Sequence, residues 1–379
     1  MRSDIRATSV YSPVKVQQGF ATLTLTVLML AVIILVTLYT ARFKAQEQRI
    51  MRNHLASHEA FVIADAGLER VIMRLDADRT NVNRTITGVI GAGVYTATLT
   101  GQRISDTLRG DVDIVDVDLV AQSADGRGRK NIGMKLAVIP LMRRAPAVPV
   151  AVRGNMNVSG SFQIVANPNG GGDGVPLSIW TSGNVDINGN GTTCGQEEFS
   201  NGNCSSQPFS ERGDHGMDIL DNDTNFPADL LDYVFGVPEA SWEDLRELAD
   251  IQVTDCTGLG PASKGFIWVT GSCSMGAGDV IGSEEEPVIL VMQDAHLTMN
   301  GGATIFGMVF SFTTPGNATQ YSLQMNGGSL VHGSVLANRN PDLSNGNLTV
   351  RYAESVLTNM INKGTFRRVH RVGGSWHDF

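Results

Sequence analysis

Residues 20–41, with the sequence FATLTLTVLMLAVIILVTLYTA, decide the architecture of this chain, because they contain no charged side chain. About 20 consecutive apolar residues in a helix cross the hydrocarbon core of a bilayer. An ordinary secretory signal has a shorter apolar core, of roughly 7–15 residues, followed by a cleavage site with small residues. The stretch therefore predicts a single membrane-spanning helix.

The helical pattern continues well beyond the apolar stretch. Between residues 41 and 75 there is no proline and a single glycine, Gly67. Apolar residues recur there at helical spacing, at Phe61, Ala64, Leu68, Val71, Ile72 and Leu75. We therefore predict one helix over residues 20–75, about 84 Å long at about 1.5 Å per residue. Its first half is apolar all round, and its second half is amphipathic.

The junction before the helix is Gln17-Gln18-Gly19-Phe20, which follows a short charged segment. It resembles the leader junction of type IV prepilins. That resemblance implies that residues 1–19 are a leader, that a prepilin peptidase cuts between Gly19 and Phe20, and that Phe20 is then methylated. A glycine suits such a site, since it lets the backbone extend into a protease cleft.

A second resemblance lies in the amphipathic half, at residues 60–69 with the sequence AFVIADAGLE. This stretch is similar to the signature of PilX-type minor pilins, which is carried here by Ala64, Asp65, Ala66, Gly67 and Glu69. One position departs from the pilin pattern. Most major pilins carry Glu at the fifth mature position, where this chain has Thr24. The resemblance therefore implies an initiating or tip subunit and not the bulk subunit of a fibre.

The resemblance also sets the expected function. It implies a minor pilin of a type IV pilus that acts in assembly initiation, tip structure or adhesion. The expected partners are other minor and major pilins, the inner-membrane assembly platform, the prepilin peptidase and a surface glycan or host receptor. The expected location is the bacterial inner membrane, with a single span and a periplasmic C-terminal part, and then the pilus. The alternatives are a minor pseudopilin of a type II secretion system and a pilin-anchored domain that binds or cleaves carbohydrate.

Residues 76–139 predict a small antiparallel sheet packed on the amphipathic half-helix. Residues 94–99, 112–122 and 130–138 alternate as strands do. Three prolines, Pro140, Pro146 and Pro149, then mark residues 140–149 as a linker.

Beyond residue 150 the sequence repeats itself. LTMNGGATIFGMV at 297–309 aligns with LQMNGGSLVHGSV at 323–335, and IWTSGNVDI at 179–187 echoes IWVTGSCSM at 267–275. Short strands separated by Asn-Gly or Gly-Gly turns, in repeated units, predict a β-solenoid over residues 150–360. A β-sandwich with two similar hairpins is the alternative. Residues 227–250 have helical spacing and predict a helical insertion. The fold class is thus a long helix followed by an α+β to all-β head.

Four cysteines, Cys194, Cys204, Cys256 and Cys273, all lie in the C-terminal half, and no pair has the C-x-x-C spacing of a zinc or redox site. In an exported domain an even count predicts two disulfides. We predict Cys194–Cys204 and Cys256–Cys273, which are close in sequence, although four cysteines allow three connectivities.

The sequence contains no common enzyme motif, and we predict that the chain is not an enzyme. A weak calcium candidate is Asp221, Asp223 and Asn225, which match the first half of a calcium loop, but Phe226 stands where that loop needs Gly. No other cofactor is expected. The net charge of −9 argues against a nucleic-acid partner. Basic residues gather near the end of the chain, and we predict that residues 361–379 form a basic tail on the last β coil.

Overall fold

The computed structural model describes residues 18–106, 110–158, 160–170, 176–187, 191–202, 204, 209–211, 213–343 and 347–378. The predicted leader therefore lies outside the described residues up to residue 17. Helix α1 runs over Gln18–Ala77, so that it begins and ends two residues beyond the predicted bounds. At about 1.5 Å per residue it is about 90 Å long.

The remaining elements follow in chain order. The strands of the first half are β1 (Arg84–Ile90), β2 (Gly93–Asp106), β3 (Gly110–Gln122), β4 (Arg129–Pro140), β5 (Val150–Val152), β6 (Met156–Val158), β7 (Ser161–Val165), β8 (Ile179–Thr181), β9 (Val185–Ile187) and β10 (Thr192–Cys194). Next come α2 (Gln196–Ser200), β11 (Ile219–Leu220), α3 (Leu230–Phe235), a 3-10 turn (Glu239–Ser241) and α4 (Trp242–Glu247). The later strands are β12 (Ile251–Val253), β13 (Gly265–Val269), β14 (Cys273–Met275), β15 (Val280–Ile281), β16 (Val288–Gln293), β17 (Leu297–Met299), β18 (Thr304–Phe312), β19 (Leu323–Met325), β20 (Leu330–Ala337) and β21 (Asn347–Arg351). The chain ends with α5 (Glu354–Asn362), a 3-10 turn (Gly364–Phe366), β22 (Arg367–Arg371) and β23 (His377–Asp378).

The first sheet is antiparallel, in the order β1-β2-β3-β4-β22, with β23 also paired to β4. The three strands predicted between residues 94 and 138 lie within β2, β3 and β4. Helix α1 packs its second half on this sheet. The buried helix residues recur every three or four positions, at Ala56, Ala60, Ile63, Ala64, Leu68, Val71 and Leu75. From Ile63 onward they meet alternate residues of β2, β3 and β4 in one core.

The end of the chain differs from the predicted basic tail. Strand β22 pairs antiparallel with β4, with Arg368 opposite Ile139, and so returns to the first sheet. Two of its basic side chains are buried and paired, Arg367 with Asp113 at 3.1 Å and Arg368 with Asp250 at 2.9 Å. A positively charged segment can enter the sheet because carboxylates and carbonyl oxygens compensate its buried guanidinium groups.

The second sheet consists mainly of parallel pairs between short strands. Strands β17 and β19 pair in parallel with Leu297 opposite Leu323, and β18 pairs with β20 with Gly307 opposite Gly333. This is the register of the repeat that we identified in the sequence. A β-sandwich, our alternative, is built from antiparallel sheets and does not match this pairing.

The strands of this second sheet do not stack in sequence order. Strand β5 lies between β20 and β8, so that the first strand of the region pairs with one of the last. Strands β11 and β12 end one run of this sheet, β12-β13-β16-β18-β20-β5-β8-β11, and the chain passes from β11 to β12 through α3 and α4. The predicted helical insertion is therefore minor, since each of these helices has only six residues.

The stacked strands separate two apolar cores. One lies among the strands and includes Ile267, Leu290 and Val309. The other lies between the strands and the short helices, where Phe235 and Trp242 contact Phe266, Trp268 and Phe312. Both predicted pairs of cysteines, Cys194–Cys204 and Cys256–Cys273, are disulfide-bonded, with 5.0 Å between the Cα atoms in each.

Candidate functional site on the N-terminal helix

The first half of α1 has no packing partner within the described part of the chain. Every side chain from residue 22 to residue 55 is exposed, including Leu28, Tyr39 and Leu55. Burial begins at Ala56, which is 4% exposed. The helix is long and apolar enough to cross a membrane by length and composition. An exposed apolar surface of this extent marks a site of contact with lipid or with other proteins.

The threonines in this half have their hydroxyl groups satisfied by the helix itself. Thr26 donates to the carbonyl of Leu23 at 2.9 Å, and Thr37 donates to the carbonyl of Ile33 at 2.9 Å. A hydroxyl that bonds to a carbonyl three or four residues earlier needs no water. The hydroxyl groups of Thr26 and Thr37 are therefore compatible with an apolar surrounding.

Acidic groups are absent from the apolar part of the helix. After residue 19 the first acidic residue of the sequence is Glu47, and Thr24 stands in the exposed half. The predicted junction residues Gly19 and Phe20 fall in the first turn of α1. The structure thus brings these three positions to the free end of the helix, away from the first sheet.

The five signature residues lie where α1 meets the first sheet. Ala64 is fully buried, whereas Asp65 is exposed and Ala66 is half-buried. Glu69 accepts a hydrogen bond at 2.6 Å from Arg371 of β22. Both of these side chains are about half exposed, so that water screens the pair and its contribution to stability is small.

Gly67 has a steric role that explains its place in the signature. A Cβ atom at this position would lie 2.9 Å from Cγ of Tyr95 on β2. The Tyr95 ring is 1% exposed, and it would also clash with a side chain at Gly88 of β1. Two glycines therefore admit the ring between helix and sheet, and α1 can approach the sheet closely at this point.

Sequence reasoning missed Tyr95, Gly88 and Arg371 as partners of the signature. The spacing of Gly88 and Tyr95 across a two-residue turn was a usable signal, because β1 and β2 form a hairpin that places them opposite each other. Arg371 gave no such signal, because its register partner on β4 is Leu136, and pairing between such distant parts of the chain leaves no local pattern.

A second set of charged residues joins the two sheets. Arg368 donates to the carbonyl of Leu248 at 2.9 Å and to Asp250 at 2.9 Å. Asp250 also lies 3.9 Å from Arg79, just after α1. Burial lowers the pKa of the Arg368 guanidinium, and the negative charge of Asp250 opposes that shift. This network attaches the β-rich part to the end of the helix.

The carboxylate of Asp223, one of the calcium candidates, is held by other groups of the protein. Asp223 accepts hydrogen bonds from Nε1 of Trp180 at 2.7 Å and from the backbone N–H of Asn225 at 2.9 Å. These bonds lower the pKa of the Asp223 carboxyl, the bond from Asn225 having the largest effect. Its carboxylate thus shapes a turn. Within the described ranges no cluster of three or more His, Cys, Asp or Glu side chains could hold a metal ion.

Comparisons with known proteins address the helix directly. Residues 18–69 match the family model described as PilX N-terminal. Among curated proteins, none matches this sequence. One solved structure, described as the competence-associated pilin ComZ from Thermus thermophilus, aligns with 86% of this chain and 97% of its own at 11% identity, with a TM-score of 0.23. That score is too low for any conclusion about the fold.

The matched residues span the exposed apolar half of α1 and the packed half as far as Glu69. They thus comprise the exposed apolar surface of the helix together with its attachment to the first sheet. Residues 18–69 of the chain are thus similar to the N-terminal region of PilX-type proteins, and a large β-rich part follows them.

Proposed function

We propose that this chain is a minor pilin of a type IV pilus. The observation that carries the proposal is the division of α1 into an exposed apolar half and a half packed on an antiparallel sheet. A helix with this division can lie in the membrane before assembly and among the helices of other pilins afterwards. The second half then holds the head at the filament surface.

The proposal includes processing of the N-terminus. A prepilin peptidase cuts between Gly19 and Phe20, and Phe20 becomes the methylated first residue. The support is the junction sequence and its position at the free end of α1. Residues 1–19 are then a leader that the mature protein lacks.

We place the chain at or near the filament tip, where it helps to start assembly. Thr24 supplies no carboxylate that could attract the N-terminus of a neighbouring subunit. A carboxylate at this position would be a charged group in the bilayer, and it would have to be paired there. The β-rich part beyond residue 150 adds a second, larger sheet to the head. Heads of this size conflict with close stacking along a shaft, whereas a tip subunit has few neighbours above it.

The same proposal assigns the parts of the chain. Residues 76–139 are the small head, residues 140–149 connect it to the rest, and residues 150–360 are a short β-solenoid, supported by the parallel register of the repeats. The partners are major and minor pilins and the assembly platform of the inner membrane, and the head faces the periplasm before export. An exposed solenoid surface is suited to adhesion.

Labelling of purified filaments with an antibody against the β-rich part tests the tip position. We expect label at one end of each filament and fewer filaments when the gene is deleted, with an unchanged shaft. Uniform label along the shaft would contradict the tip assignment. Loss of protein secretion on deletion, with normal pili, would instead identify a pseudopilin of a type II secretion system.

A further inference from the structure

A polar cleft of about 380 Å³ lies on the second sheet, beside the start of α5. Its floor is formed by strands β18, β20 and β21, and its walls by the start of α5, by α2 and by the turn at Glu284. We refer to it as the α5 cleft. Its volume falls in the range of about 300–1,000 Å³ that is typical of small-molecule sites.

Three side chains line up across the floor because their strands pair in register. Phe306 is opposite His332, and His332 is opposite Arg351. The rings of Phe306 and His332 are parallel within 7°, with their centroids 4.9 Å apart. The two rings thus cover each other on one side, and the ring surface that the stack leaves open lies next to a guanidinium group.

The guanidinium group of Arg351 is held in place from two directions. Its Nε donates to Oε1 of Gln196 at 3.1 Å, and its Cζ lies 5.5 Å from the centre of the Phe199 ring. Gln196 is fixed in turn, because its amide nitrogen donates to the carbonyl of Tyr352 at 2.6 Å. A polar group that is already ordered loses little conformational entropy when it binds a ligand.

The charges around the cleft select against an anionic ligand. Arg351 is the cation of the lining, and Glu284 and Glu354 are its carboxylates. Burial lowers the pKa of the His332 imidazole, the charge of Arg351 lowers it further, and Glu284 opposes the shift. His332 is therefore neutral at neutral pH, and the lining carries one more negative than positive charge. A phosphate or a carboxylate would meet this excess negative charge.

The remaining chemistry matches a sugar without charge. Guanidinium and carboxylate groups are planar and form paired hydrogen bonds, which neighbouring hydroxyl groups of a pyranose can complete. Ser355 donates to one oxygen of Glu284 at 2.5 Å and so fixes that carboxylate at the rim. The C–H face of a pyranose ring can pack on an aromatic face, which carries partial negative charge. We propose that the α5 cleft binds a neutral pyranose unit of a glycan.

This inference stands apart from the proposed pilin role, because it depends only on the second sheet. The experiment uses the full-length chain in detergent micelles. A glycan array with neutral and sialylated glycans identifies the best neutral ligand, and calorimetry with that glycan then compares four proteins. They are the natural chain, Arg351→Ala, Arg351→Lys and the control Arg127→Ala, whose side chain is exposed on the other sheet.

We expect neutral glycans to bind and Arg351→Ala to weaken binding by about tenfold or more, the loss typical of a hydrogen bond to a charged group. Arg351→Lys keeps the charge but not the planar fork, and we expect a similar loss, while Arg127→Ala binds as the natural chain does. Thermal unfolding curves that coincide show that the variants remain folded. Absence of neutral-glycan binding, a preference for sialylated glycans, or full affinity in either Arg351 variant would overturn the proposal.

Discussion

The contact between Gly67 and Tyr95 provides a quantitative test of how the PilX-type signature works. We consider the variant Gly67→Val, which places three carbon atoms where the structure has none. The Cβ atom alone would lie 2.9 Å from Cγ of Tyr95. Two carbon atoms attract best at about 3.5–4.0 Å, so the Cβ atom alone requires the ring or the helix to move by several tenths of an ångström. The two methyl groups of valine require further space.

The expected magnitude follows from two opposing effects. Forcing extra carbon atoms into a packed core typically costs about 1–3 kcal/mol. Replacing Gly by Val inside a helix returns only a few tenths of a kcal/mol, because the helix propensities of the two residues differ little beyond that. We therefore expect Gly67→Val to lower the free energy of unfolding of the head by about 1–3 kcal/mol.

The assay is denaturant unfolding of the full-length chain in detergent, followed by the fluorescence of the head. Met73→Val is the matched control, because Met73 is 63% exposed on the same helix and the change there affects propensity alone. A second arm repeats Gly67→Val in a Tyr95→Leu background, where the smaller side chain should relieve most of the loss. The reasoning is refuted if Gly67→Val unfolds like Met73→Val, or if the loss is unchanged without the ring.

Three further predictions concern the β-rich part. Gly333 has φ +146°, and a Cβ atom there would collide with the carbonyl oxygen of Gly307. Gly333→Ala should therefore clearly lower the thermal midpoint of the β-rich part, whereas Gly278→Ala, at an exposed position, should lower it less. Equal midpoints of the two variants would contradict the stacked register. Replacing Cys256 and Cys273 by Ser opens a loop with a sequence separation of 17 and should destabilise by about 3 kcal/mol, and an unchanged denaturation midpoint would argue against the bond. The pKa of His332 in the folded chain lies below the usual value of about 6.5. As the pH falls from about 7, the imidazole is therefore protonated in the unfolded chain before it is protonated in the folded chain, and the free energy of unfolding decreases. His332→Gln should remove this part of the loss on acidification, and thermal midpoints that fall equally in both proteins would exclude it.

The sequence predicted those features of the fold that depend on local patterns. The apolar run of residues 20–41 and the spacing of Ala64, Leu68 and Val71 predict the helix and its packed face, since both follow from the geometry of a single helix. The repeat at 297–309 and 323–335 predicts the parallel register, because equivalent residues of neighbouring units stack on each other. In each case the information lies within a few tens of residues.

Features that depend on distant pairing could not be predicted in this way. Strand β5 pairs with β20, with Val150 opposite Val335, and a three-residue strand carries too little pattern to identify so distant a partner. The return of β22 to the first sheet was missed because Arg367 and Arg368 read as a solvated tail. The carboxylate partners Asp113 and Asp250 compensate these buried guanidinium groups, and both partners lie far away in the sequence.

The contacts of the signature residues on α1 also depend on distant parts of the chain and could not be predicted. The resemblance identified Gly67 and Glu69 from the sequence, but not what they contact. Their partners Tyr95 and Arg371 become neighbours only when the first sheet is complete. The cleft beside α5 is a further case, since its residues come from strands, turns and helices that only the fold brings together.

The identity of the mature N-terminus is the most direct test of the central claim that this chain is a processed pilin. The chain is expressed in a host that contains a prepilin peptidase, and its N-terminal peptide is determined by mass spectrometry, with Gly19→Val as the control for cleavage. The account predicts a peptide that begins at Phe20 and carries one added methyl group, and an uncut chain for Gly19→Val. A natural chain that retains residues 1–19 in the presence of the active peptidase would contradict the account.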